Sequence, residues 1–168
     1  MPRFRSDELS MTTKDTPGVI APPPLIFLGF LVAVFALDAF VPLPLRPAEI
    51  DPGLGWTVGA VLIFLGLAAM TLAVRSFIRA DTPVPTREPT RALVTTGIHA
   101  LSRNPIYVAM FLIYLGIGLF ANTVWILVLL VPLALVIRCG VVGREETYLE
   151  RKFGEGYRAY KARVPRWL

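Results

Sequence analysis

Leu93-Val94-Thr95-Thr96-Gly97-Ile98-His99-Ala100-Leu101-Ser102-Arg103-Asn104-Pro105-Ile106-Tyr107 is a polar hinge set between long apolar runs. Its last residues carry a helix start, because Asn is among the favoured N-caps and Pro at the first helical position gives up no hydrogen bond. The run that follows therefore begins at Pro105, with free backbone N–H groups and the positive end of a macrodipole at a polar surface. Arg103 stands beside that end, and the two together suit a carboxylate or phosphate. The same residues also describe a plain helix start next to a basic membrane anchor. The hinge has one distant polar partner, the pair Glu145-Glu146.

Most of the remaining chain reads as membrane-spanning helix. Hydrophobic residues make up 55%, charged residues 17%, and the mean hydropathy is +0.62, whereas a soluble domain is about a quarter charged. The first apolar run, Pro24 to Val41, ends at Pro42, Pro44 and Pro47 and is just long enough for a bilayer that needs roughly 20 helical residues. Asp38, near its end, is expected to be an interfacial carboxylate, solvated or hydrogen-bonded. The second run, Leu54 to Ile78, holds the small residues Gly59, Ala60, Gly66, Ala68 and Ala69, which permit close helix approach. Arg75 and Arg79 close it, their stems long enough to snorkel. The third runs from Pro105 to Ala121. Asn122-Thr123 is a tight turn, with either residue available to cap a fourth run from Val124 to about Val142 that Pro132 interrupts. So short a connection demands an antiparallel hairpin. The fold expected is all-α: a polytopic membrane protein of about four transmembrane helices plus an amphipathic cytosolic C-terminal helical tail. Its parts are a polar N-terminal tail (1–21), two transmembrane helices (22–80), and a site-bearing half (81–168) made of hinge, hairpin and tail.

Charge sets the orientation. The segment from Arg75 to Arg103 has five basic and two acidic residues, and the tail from Arg144 has seven basic and four acidic. The loop after the first run has one basic residue, Arg46, and the turn at Asn122 has none. Cytoplasmic loops carry the excess of Lys and Arg, so hinge, tail and both termini are expected in the cytoplasm. A multi-pass protein of a bacterial or archaeal cell membrane fits this pattern. The leader has no apolar core, so it is expected to be a polar tail and not a cleaved signal. The net charge of +5 follows from the topology, and no interleaved aromatics point to nucleic acid. A single cysteine, Cys139, forms neither an internal disulfide nor a metal cluster, and no metal site is expected.

Glu145-Glu146 lies where carboxylates would otherwise repel anionic headgroups. A carboxylate there accepts hydrogen bonds from a ribose diol or faces a cation; the plainer reading is i,i+4 pairing on a surface helix. Beyond it Tyr148, Leu149, Phe153, Tyr157, Tyr160 and Val164 recur at spacings of three and four. That pattern describes an interfacial helix bent at Gly154, its aromatics expected chiefly as membrane-surface anchors.

Leu93-Val94-Thr95-x-Gly97, Arg103-Asn104-Pro105-x-Tyr107, Glu145-Glu146, and Phe153-Gly154-Glu155-x-Tyr157-x-x-Tyr160 with Val164 follow one another across the helical hairpin. In this order they resemble the integral-membrane methyltransferases of the isoprenylcysteine carboxyl methyltransferase and phospholipid methyltransferase family, over the half from Arg91 onward. The resemblance implies an S-adenosyl-L-methionine-dependent enzyme with its cofactor between hinge, hairpin and tail. By position, Arg91, Leu93, Val94, His99, Asn104, Pro105, Ile106, Tyr107 and Glu145 would contact it, with Arg103 and the helix start taking the methionine carboxylate and Glu145 the ribose or amino group. The acceptor would be a lipophilic or lipid-modified molecule, isoprenoid-type or phospholipid, reached from the surrounding membrane lipids.

The sequence departs from the family pattern in places. His99 stands where Tyr is common, Asn104 replaces a usual His, Ala109 a frequent Gly, and Val141 occupies the position of a basic residue that serves the substrate in eukaryotic carboxyl methyltransferases. Arg138 and Arg144 are the stand-ins for that basic residue. An amine nucleophile would need a base, for which His99 and Glu146 are candidates; a carboxylate would not. Two other classes compete: a sterol-reductase-like oxidoreductase using NADPH, against which the lack of Gly-x-Gly-x-x-Gly speaks, and a non-catalytic scaffold whose basic tail binds anionic lipid.

Overall fold

The computed structural model describes residues 16–47, 52–84 and 89–168. Part of the leader read as a polar tail, and two short loop segments, thus lie outside the described residues. The chain is a helical membrane bundle: α1 (Pro23–Phe40), α2 (Pro52–Arg79), a 3-10 turn (Gly97–Ala100), α3 (Pro105–Ala121), α4 (Trp125–Ile137), a π turn (Arg138–Val142) and α5 (Gly143–Arg163). α1, α2 and the continuous run that starts with α4 are long and apolar enough to cross a membrane, and α3 is a shorter apolar helix. The apolar part of that continuous run ends with the π turn; α5, which carries the acidic pair and most of the tail's charges, emerges beyond it.

Each boundary has a local cause. Pro22 to Pro24 open α1, where a missing N–H costs nothing, and Pro42 stops it. α3 opens at Pro105. It closes at Asn122, whose left-handed backbone (φ 53°) caps the helix end rather than starting the next one. The hydroxyl of Thr123 instead accepts the Trp125 N–H (3.3 Å) at the head of α4. The loop after α1 is stitched to this turn: Val124 N–H donates to the Leu43 carbonyl at 2.8 Å and Leu45 N–H to that of Asn122 at 3.0 Å. The Asn122 side chain accepts the Arg46 N–H at 2.9 Å.

α2 and α3 lie backbone to backbone, as the small residues foretold. A methyl group placed on Gly116 would stand 2.7 Å from the Gly59 carbonyl oxygen, and one on Gly66 2.8 Å from that of Ala109. The same glycine stripe fixes the height of α3 against α2, and hence the level at which the hinge meets the membrane. Because the turn at Asn122 is so tight, α4 returns antiparallel to α3 and brings α5 back to the hinge end. The π turn widens the helix just before the acidic pair, and the buried stripe of Ile137 and Val141 passes through Val142 to Glu145 and Glu146.

Gly116→Ala is expected to lower the thermal midpoint in detergent, at a cost of about 1–3 kcal/mol for overpacking against backbone. Gly29→Ala, where an added methyl meets nothing within 4 Å, should leave the midpoint within a degree or two of the unaltered chain; differential scanning fluorimetry compares them.

Candidate functional site

Hinge, helix starts and α5 enclose a cavity at the polar end of the bundle. The cavity is partly open and measures about 60 Å³. From the hinge come Leu93, Val94, His99, Arg103 and Asn104, from the first turn of α3 Pro105, Ile106 and Tyr107, and from α5 Glu145 and Glu146. The residues read as one site thus meet in one place. Arg91, Arg138 and Arg144 do not line it. The side chain of Arg91 is exposed while its N–H donates to Thr82 Oγ1 at 2.8 Å. Arg144 reaches outward to the Gly18 carbonyl at 2.8 Å. Arg138 faces a separate groove beside Trp167 and Leu168.

The side chains are set by their neighbours. Segment 90–92 is pinned by Thr82 Oγ1, which accepts from Arg91 and Ala92, and by the Tyr148 hydroxyl, which accepts the Thr90 N–H at 3.2 Å. His99 is 3% exposed, its ring edge-on to Phe77 at 4.9 Å and its carbonyl accepting from the Tyr160 hydroxyl at 2.6 Å. It is a buried residue, not a solvated loop histidine. Burial lowers its pKa to about 4, so the imidazole is neutral at physiological pH. Asn104 differs from the expected N-cap: its side chain makes no capping bond, and its Nδ2 donates to the Arg166 carbonyl at 3.0 Å. The N–H groups of the first turn of α3 consequently keep no side-chain partner from Asn104.

The two glutamates, adjacent in sequence, have different fates. Glu145 is 5% exposed and accepts from the Tyr107 hydroxyl at 2.7 Å. Burial pushes its pKa up to about 8; the Tyr107 hydrogen bond opposes that rise, and the charge of Glu146 adds to it. Glu146 is held by arginines: Arg166 grips both oxygens, Nε to Oε1 at 2.9 Å and Nη2 to Oε2 at 2.6 Å, and Arg103 Nη1 stands 3.0 Å from Oε1. The arrangement excludes surface i,i+4 pairing as the role of this pair.

Tyr157 and Tyr160 also line the cavity and, with Tyr148, are buried. The expectation that these aromatics anchor the tail to the membrane surface is overturned by their position: the bend at Gly154 (φ 51°) turns the second half of α5 onto the hinge, so the apolar stripe packs inward. Burial raises the Tyr157 and Tyr160 hydroxyls to about 12. Thr90, a loop residue without any motif, went unnoticed in the sequence. Only the fold brings it to the cavity wall, where its hydroxyl is buried without a partner. His99 Nδ1 and Arg103 Nε are likewise buried without a hydrogen-bonding partner, and Arg103 Nη1 has only its ion pair with Glu146.

The pKa of Glu145 is raised on folding, so its contribution to stability is fully in place below about 4.5 and is lost as pH rises through about 8. Melting curves between pH 5 and 9 are expected to show the unaltered chain losing stability toward alkaline pH relative to Glu145→Gln, which carries no titrating group there; parallel profiles would contradict the assignment.

A sequence profile of phospholipid methyltransferases matches residues 54–156, from the start of α2 into α5. An uncharacterized protein of Haemophilus influenzae is 62% identical over 34 residues, which is 20% of this chain and 54% of that protein. The match thus spans about half the length of that curated relative. No solved structure matches the chain. Since the family profile covers more than half of the sequence and takes in hinge, hairpin and acidic pair together, the chain belongs to the phospholipid methyltransferase family.

Proposed function

We propose that the chain transfers a methyl group from S-adenosyl-L-methionine to the polar head of a lipid at the cytoplasmic face of the membrane. The observation that carries this reading is a pair of cavities sharing one wall. The first is the polar site, where Thr90 Oγ1, His99 Nδ1 and Arg103 Nε are buried without hydrogen bonds. Such atoms cost roughly 1–3 kcal/mol each unless a ligand supplies the missing partner, and a zwitterionic amino acid joined to a nucleoside offers both donors and acceptors. The second is an apolar cavity of about 460 Å³ bounded by Pro22 to Pro24, Phe27, Leu31, Met70, Met110, Ile113 and Tyr114. Val84, Ile106 and Tyr107 belong to both.

This chain's residues divide the work. Arg103, standing beside the start of α3 at the positive end of the helix dipole, suits a carboxylate. Glu145, with Tyr107 fixing its orientation, suits the ribose diol or the amino group. His99, neutral and unpartnered at Nδ1, is better placed than Glu146 to accept a proton from an amine, because Arg166 already occupies both oxygens of Glu146. S-adenosylmethionine, when bound, supplies a methyl on a positively charged sulfur that leaves by in-line displacement. The protein's share is alignment and exclusion of water, which is worth more here than acid–base chemistry. The apolar cavity suits the hydrocarbon part of the acceptor, whose head would reach the shared wall at Tyr107. The family supports a phospholipid, and the buffer of charge on hinge and tail supports the cytoplasmic orientation.

Arg103→Ala and Glu145→Ala are each expected to weaken S-adenosylmethionine binding by about 10-fold or more, since hydrogen bonds to charged groups contribute about 1.5–3 kcal/mol. Calorimetric titration of the detergent-purified chain reads this, with NADPH as the control that should not bind. Met110→Trp, which narrows the apolar cavity, should leave that affinity unchanged while lowering incorporation of radiolabelled methyl into membrane lipid extracts. Unchanged affinity in both charge variants would remove the site assignment.

A further inference from the structure

The last residues of the chain do not line the cavity, yet they hold its charged end. Past α5 the backbone becomes extended at Val164 (φ −117°, ψ 129°) and runs back along the hinge. Arg103 N–H donates to the Pro165 carbonyl at 3.0 Å. Ser102 Oγ and Asn104 Nδ2 both donate to the Arg166 carbonyl, at 3.3 and 3.0 Å. Trp167 seats the end of this strap edge-on against Phe111 of α3, with ring centroids 6.2 Å apart.

Two arginines face the one carboxylate of Glu146, and they are not equivalent. Arg166 takes both oxygens in a fork, the geometry in which a guanidinium binds a carboxylate most tightly. Arg103 Nη1 is close, at 3.0 Å, but off the line of a hydrogen bond, and Arg103 Nε has no acceptor although the side chain is only 9% exposed. The three side chains together carry one positive charge in excess. The geometry points to Arg166 as a positioning residue: by taking both oxygens of Glu146 it limits that carboxylate's hold on Arg103 to the single contact at Nη1, and so leaves Arg103 Nε, buried without an acceptor, for a carboxylate on the cofactor. This rests on the cofactor reading above. A strap that merely braced the fold would support every ligand alike, whereas a strap that reserves Arg103 supports only a ligand bearing a carboxylate.

The distinction sets the experiment. Binding of S-adenosylhomocysteine, which has the carboxylate, and of 5′-methylthioadenosine, which lacks the whole amino-acid moiety, is measured calorimetrically on the full-length chain in detergent. For Arg166→Ala, S-adenosylhomocysteine is expected to bind about 10-fold more weakly, the loss of one charge-assisted contact, with 5′-methylthioadenosine changed less than about 2-fold. The double variant Glu146→Gln/Arg166→Ala should regain most of the lost affinity, because a neutral amide does not capture Arg103. Arg166→Lys keeps the charge without the fork and should show the same selective loss at a smaller factor, which keeps the test decisive if the alanine variant does not fold. Equal weakening of both ligands, or a double variant no better than Arg166→Ala, would overturn the assignment of Arg166. Failure of the unaltered chain to bind either ligand would instead remove the cofactor reading, and this inference with it.

Discussion

A carboxylate that leaves water at the edge of a bilayer must find a partner, and this fold is arranged around doing so twice in succession. Glu145 and Glu146 are both buried, and isolated ionised groups in such a place would cost far more than the whole stability of a small protein. The first is relieved by a tyrosine hydroxyl and a shift toward the protonated form. The second is relieved by two arginines drawn from opposite ends of the C-terminal half. Neither solution exists unless α3 and α4 form a tight antiparallel pair, since Tyr107 and Arg103 sit at the start of one helix and the glutamates follow the other. The turn at Asn122 is therefore as much a part of the site as the charged residues are.

The same hairpin explains why α2 has to pack so closely on α3. Were α3 free to slide along α2, the hinge would move relative to α5 and the ion contacts would open. Interlocked glycines remove that freedom, because Gly116 and Gly59 leave no room for a methyl between backbones. In lipid there is little hydrophobic drive between helices, so close backbone approach supplies the packing that fixes the height of the helix. The apolar cavity beside Tyr107 then forms where larger side chains, Phe27, Met70 and Met110, replace that contact.

Much of this was legible from sequence, and the parts that were not share a cause. Proline and asparagine punctuation gave the bounds of α3 and the sense of the hairpin, and the order of hinge motif and acidic pair gave most of the cavity wall. Periodicity along α5 showed that Tyr157 and Tyr160 share a face, but not whether that face meets lipid or protein. The answer depends on the bend at Gly154 and on a contact with His99 some sixty positions earlier. Asn104 was read as a helix cap from its neighbours alone, while its actual partner is the carbonyl of Arg166. Thr90 and Arg166 carry no local signal, being ordinary residues whose roles come from long-range approach. Arg138 and Arg144 show the converse: as the basic residues nearest the position that Val141 fills they are the stand-ins for the family's substrate-serving residue, yet one faces a separate groove and the other reaches outward to Gly18.

The contrast between the neighbouring glutamates also bears on how a cationic ligand would be received. Successive residues on a helix point about 100° apart, so they ordinarily face different surroundings. Here both remain in the interior, yet one faces Tyr107 of α3 and the other the two arginines. A carboxyl that favours its proton can give it up when positive charge arrives, which makes its affinity for a cation adjustable by pH. A carboxylate fixed between two guanidinium groups serves instead as a counter-ion held in place. Placing the two side by side gives one short stretch of helix both a carboxyl whose burial favours its proton and a carboxylate fixed by ion pairs.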